Sequence, residues 1–114
     1  MKTYHNHRAE PYFTFLKNGQ KTIEGRIKKG KYCFIESGDG IEVSNENETD
    51  SVNVKVKRVT DYHSIEQMLN TEDFKKVLPD AESIEQGVGL YRKFYSSDQE
   101  AEFGVIAIEV GLVE

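Results

Sequence analysis

The sequence predicts an α+β fold, and three observations carry that prediction. Two Ser-x-x-Gln patterns, Ser64 to Gln67 and Ser83 to Gln86, mark helix starts, since serine can take the N–H three residues on while glutamine reaches back. Val52, Val54 and Val56 alternate with Asn53, Lys55 and Lys57, as in a strand buried on one side. From Gly104 to Leu112 nearly every position is apolar (Val105, Ala107 against Ile106, Ile108, Val110), as a central strand covered on both faces requires. Strands interleaved with helices and joined by antiparallel-looking turns give the α+β class. There is no internal repeat, low-complexity tract or long linker, and 114 residues make one domain with a modest core.

Taken in order, Thr3 to His7 reads as a first strand or an extended lead-in. Glu10 to Asn18 is a short amphipathic helix with Pro11 in its first turn, where a missing N–H costs little. Tyr12, Phe15 and Leu16 would face its core, leaving Phe13 off that stripe. Gly19 closes the helix in the left-handed conformation, and β-branched Thr22, Ile23 and Ile27 then favour a strand. Residues 28–36, KKGKYCFIE, fit either a buried strand or a loop carrying apolar side chains inward, and the loop is preferred. A Gly38-Asp39-Gly40 turn leads to a strand over Ile41 to Ser44 and an acidic hairpin loop from Asn45 to Ser51. Val59 breaks the valine parity, predicting a bulge or strand end. Short helices follow at Ile65 to Leu69 and after Thr71 as a cap, then the longest from Ile84 to about Tyr95. Gly87 and Gly89 weaken that helix by roughly 1 kcal/mol each relative to alanine, which predicts close packing against a strand.

Chemistry concentrates in Gly19 to Arg26. Strand alternation puts Glu24 and Arg26 on one face, with Lys21 at the mouth of the strand, where it should contribute little to the core. From Lys17 to Lys31 there are six basic residues (Lys17, Lys21, Arg26, Lys28, Lys29, Lys31) and one acid, a local +5 in a chain of net charge −5, which leaves −10 elsewhere. Such asymmetry points to an anionic ligand at one place, and the acidic remainder argues against unspecific coating of nucleic acid.

Gly19, Lys21, Glu24 and Arg26 fit the pattern GxKxxExR. This resembles the signature of ASCH domains, relatives of the PUA-like RNA-binding barrels, and the later Gly38-Asp39, the long helix and the closing FGVIAIEV strand extend the resemblance over almost the whole chain. The resemblance implies a small, mostly antiparallel PUA-like β-barrel of about five or six strands with flanking helices. It also implies RNA or nucleoside binding in a cleft lined by Lys21, Glu24 and Arg26, with Lys28, Lys29 and Lys31 nearby and Phe13 and Tyr95 as stacking surfaces beside Tyr4 and Tyr12.

Some relatives resemble amidohydrolases that deacetylate acetylcytidine with a lysine base, a threonine nucleophile and a distant glutamate acid. Lys21 matches the lysine, Glu24 stands where those enzymes have threonine, and Glu82 or Asp80 is the nearest candidate for the acid. A carboxylate at Glu24 would instead activate water. Others resemble metal-dependent ribonucleases for single-stranded RNA, but no clustered ligand motif supports a metal here, and no cofactor is expected. Whether the protein is an enzyme stays open between binding and hydrolysis, and a protein-interaction module is a third reading whose partner the sequence does not name.

His5 and His7 share one face of a strand, but with only His63 elsewhere they read as surface or cleft histidines. Cys33 is alone, so no internal disulfide forms. The start MKTYHNHRAE lacks the apolar core of a signal peptide and no apolar run approaches a membrane span, so a cytoplasmic protein without membrane contact is expected.

Overall fold

A computed structural model of the chain describes residues 1–113. Its strands are β1 (Thr3–Arg8), β2 (Ile23–Ile27), β3 (Gly40–Asn45), β4 (Ser51–Tyr62) and β5 (Val105–Leu112). Its helices are α1 (Tyr12–Lys17), α2 (Ile65–Thr71), α3 (Phe74–Val77), α4 (Ile84–Tyr91) and α5 (Ser97–Phe103), with a 3₁₀ turn at Gly30–Cys33. The strands form one sheet in the order β1-β3-β4-β5-β2. β1 runs parallel to β3 and the remaining neighbours are antiparallel. The sheet curls into a half-barrel, in which β1 and β2 are the two outer strands. No helix among the described residues is long and apolar enough to cross a membrane.

Apolar cores on the two faces of β5 account for the unbroken hydrophobic run of that strand. Val105 and Ala107 pack with Ile23, Ile27 and the helix residues Ile65, Met68, Leu69 and Val77. Ile106, Ile108 and Val110 pack inside the curl with Phe13, Leu16, Ile41, Val43, Val54 and Val56. The bulge falls between Val56 and Arg58, one extra residue that lets both valine sets of the twelve-residue β4 stay in register with β5.

Several boundaries differ from the sequence expectation. On α1 the buried pair is Phe13 and Leu16, whereas Tyr12 and Phe15 are half-buried, because the helix presents Phe13 to the interior of the curl. Thr71 ends α2 by donating its hydroxyl to the Gln67 carbonyl at 2.8 Å, and Asp73 caps α3 instead. The predicted long helix stops at Tyr91, where the chain tightens into i to i+3 bonds, Lys93 N–H to the Leu90 carbonyl and Phe94 N–H to that of Tyr91. A separate helix, α5, then starts at Ser96 with a full capping box to Gln99. That Ser-x-x-Gln pattern, Ser96 to Gln99, is legible in the sequence just beyond the end of the predicted long helix. Gly87 packs against other helices, where a Cβ would sit 3.0 Å from Leu69 Cδ1 and 3.2 Å from Leu78 Cδ1, and Gly89 faces open space.

Candidate functional site

The site forms where the sheet is left open, between the outer strands β1 and β2. Gly19 takes φ +85 after α1, and the turn brings Lys21 to the start of β2. Register pairs Glu24 with Ile108 and Arg26 with Ile106, so both charged side chains share the concave face with core isoleucines. Glu24 is 4% exposed there, and burying a carboxylate that deeply needs counter-charge. Three cations supply it. Arg8 Nη2, from the last residue of β1, lies 2.8 Å from Glu24 Oε2, and Arg26 Nη2 lies 3.1 Å from the same oxygen. Lys21 Nζ is 3.8 Å from Oε1.

These cations also satisfy the free edge of β2. Lys21 Nζ donates to the Ile23 carbonyl at 2.8 Å and to the Val77 carbonyl. Arg26 Nη1 donates to the Gly25 carbonyl at 2.8 Å, and Lys29 N–H to that of Ile27. An exposed strand edge is thereby closed to pairing with another chain. Lys21 is thus a buried tie between β2 and the end of α3, not the peripheral lysine its place at a strand mouth suggested.

Burial pushes the Lys21 ammonium below its ordinary pKa, with Glu24 and then Asp80 opposing the shift. Burial likewise pushes the Glu24 carboxyl up, against the pull of Lys21. The two guanidiniums keep their charge throughout the accessible pH range, so the cluster stays net positive whichever way Lys21 and Glu24 divide a proton. Neither Glu24 oxygen receives an aligned hydrogen bond, and Arg8 Nε and Nη2 find no aligned acceptor, although all four atoms are buried. The ions attract one another off-axis and leave directional capacity unused.

The same residues line a cavity of about 520 Å³, a size common for small-molecule sites. Arg8, Lys21, Glu24 and Arg26 make its charged wall, and Tyr12, Tyr91 and Tyr95 an aromatic one. The rings of Tyr91 and Tyr95 lie near parallel, 17° apart with centroids 6.5 Å apart. Burial raises the pKa of both phenols, so they stay neutral donors. Tyr91 packs its hydroxyl against Gly25, where a Cβ would come within 2.6 Å of it.

Of the residues singled out from sequence, Lys21, Glu24, Arg26 and Tyr95 line this cavity, as does Tyr12. Phe13 is buried in the core at 3% exposure, and Tyr4 packs against that same core. Lys28 pairs with Asp61 at 3.0 Å, Lys29 lies over the Phe103 ring, and Lys31 Nζ donates to the His5 carbonyl at 2.8 Å. Lys17 pairs with Asp50. The basic run is therefore dispersed over several acids and carbonyls instead of converging on one place. Glu82 is exposed and outside the cavity, and Asp80 is exposed beside Tyr12 and Lys21. His5 and His7 face acids on the outer surface, Glu42 at 3.1 Å and Glu48 at 3.3 Å. No group of three or more potential metal ligands occurs among the described residues. Arg8 joins the site from outside the GxKxxExR segment: it lies on the face of β1 opposite His5 and His7, where Tyr4, Asn6 and Arg8 alternate inward.

A family model described as the ASCH domain matches residues 8–114. The chain belongs to the ASCH domain family. Among solved structures this ASCH domain is similar to the hypothetical protein PH0355, with 39% identity and a TM-score of 0.88 over 99% of this chain and 100% of that one. It is also similar to protein PF0455 from Pyrococcus furiosus, with 35% identity and a TM-score of 0.79 over 98% of each. An ASCH domain from Lactobacillus crispatus shares the fold at 14% identity and a TM-score of 0.65, covering 96% of this chain and 79% of that one. No functionally curated protein gives a significant match.

Proposed function

We propose that this ASCH domain binds RNA or a nucleoside by seating one unpaired base in the cavity beside Glu24, Arg8 and Arg26. The observation that carries the reading is the Glu24 carboxylate, 4% exposed and without an aligned hydrogen bond, at the charged wall of a tyrosine-lined cavity. Buried polar atoms are almost always hydrogen-bonded, so unused acceptors and donors side by side call for a ligand carrying the complement. Base edges carry donors and acceptors on adjacent atoms, and their flat faces stack on aromatic rings. The surplus of positive charge suits the phosphate of a nucleotide.

Binding is preferred to hydrolysis because a carboxylate, not a hydroxyl nucleophile, stands at position 24. With Glu24 in the nucleophile position and Glu82 outside the cavity, an amidohydrolase-like route has no assembled machinery.

Titration of the four nucleosides and of short single-stranded RNAs into wild type, Glu24→Gln and Arg26→Ala tests this. Binding by wild type that falls at least about tenfold in both variants supports the reading, a loss of about 1.4 kcal/mol each. Affinity equal in all three proteins removes it.

A further inference from the structure

Phe94 is 74% exposed, yet it lines the same cavity, which places its ring at the opening. Lys93, beside it, is also exposed and lines the cavity. The other cations there are all held by Glu24, and neighbouring Arg92 pairs with Glu100 at 2.8 Å. Among the described residues Lys93 has no acid at ion-pair distance. The one other acid on the lining, Glu10, is taken up by the Thr14 N–H and hydroxyl. An unmatched cation and an uncovered aromatic ring thus stand together at the mouth of the cavity. Phe34, the other exposed phenylalanine, lies away from the cavity.

We infer that the ligand is a strand and not a free nucleoside: one base enters the cavity, the adjoining base stacks on Phe94, and the phosphate between them meets Lys93. This deepens the RNA-binding reading and rests on it. Single-strand binders combine these two elements, a ring that accepts any base face and a cation that tracks the backbone. A protein partner would need a broader apolar patch than one ring. The end of α4 suits the device: the tightened turn after Tyr91 keeps Tyr91 inside while turning Phe94 outward.

The test compares each ribo-homotrinucleotide (A, C, G and U) with its matching nucleoside on wild type, Phe94→Ala, Phe94→Trp and Lys93→Gln. Both positions are exposed, so the variants should keep the wild-type melting transition. Phe94→Ala should weaken trinucleotide binding roughly 5- to 150-fold, the range of one lost base stack, and leave nucleoside binding unchanged. Phe94→Trp should restore the trinucleotide. Lys93→Gln should lower the log–log salt slope for the trinucleotide by about 0.7. Equal losses for nucleoside and trinucleotide, or no loss for either, overturn the strand inference while leaving the cavity reading intact. Wild type that holds neither ligand removes both.

Discussion

Arg8 Nη2 lies 2.8 Å from Glu24 Oε2, so a side-chain ion pair joins the two outer strands that backbone pairing leaves apart. Removing one member of a buried pair strands the other in low dielectric, typically at about 3–5 kcal/mol. The two members are not equivalent here. Without Arg8, Glu24 keeps Arg26 and Lys21; without Glu24, three cations repel one another. Glu24→Ala is expected to lose at least about 3 kcal/mol in urea unfolding and Arg8→Ala distinctly less. The reverse order would contradict the assignment of Glu24 as the hub.

Lys21→Met keeps the side-chain volume but removes the donor shared by the Ile23 and Val77 carbonyls. Each buried acceptor left unmatched costs about 1–3 kcal/mol, so for the two a loss of roughly 2–6 kcal/mol is expected from chemical denaturation. A variant as stable as wild type would return Lys21 to the peripheral role its sequence position suggested.

Two glycines should respond with opposite signs to alanine. At Gly25 a Cβ would lie 2.6 Å from both Met68 Cε and the Tyr91 hydroxyl, so Gly25→Ala should cost about 1–3 kcal/mol and displace Tyr91 from the cavity wall. At Gly89 a Cβ meets nothing within 4 Å on an exposed helix face, and Gly89→Ala should stabilise by about 0.5–1 kcal/mol. Melting curves of the two variants that shift in the same direction would refute this contrast.

Asp39 accepts the backbone N–H groups of Lys2 and Glu36, both at 3.0 Å, and these bonds hold its carboxyl below the usual range. A depressed folded-state pKa contributes stability above the unfolded value, lost as pH falls through the folded one. Asp39→Asn should therefore be less stable than wild type at pH 7. The gap should close as pH drops below about 4, the unperturbed aspartate value. A gap independent of pH would mean that the ionised carboxylate is not what the turn requires.

Much of the frame was legible because its signals are local. Alternation in Val52, Val54 and Val56, the parity break at Val59 and the capping serines Ser64 and Ser83 each depend on a few neighbours. The pairing of Glu24 with Arg26 was legible for the same reason, being set by strand period. What escaped depends on distant partners. Arg8 reaches Glu24 only because the half-barrel curls β1 toward β2, and no spacing within the fifteen intervening residues encodes that approach. Lys28 and Lys31 looked like members of one basic patch until folding supplied Asp61 and the β1 backbone as their partners. Phe13 followed the same logic, its burial decided by the sheet it meets.

Amide chemical-shift mapping of the isotope-labelled protein during titration with a short single-stranded RNA bears most directly on the central claim, that the Glu24 cavity receives a base. The account predicts saturable shifts centred on Glu24, Gly25, Arg26, Tyr91 and Phe94. Shifts confined to Lys28, Lys29 and Lys31, with the cavity residues unmoved, would contradict it.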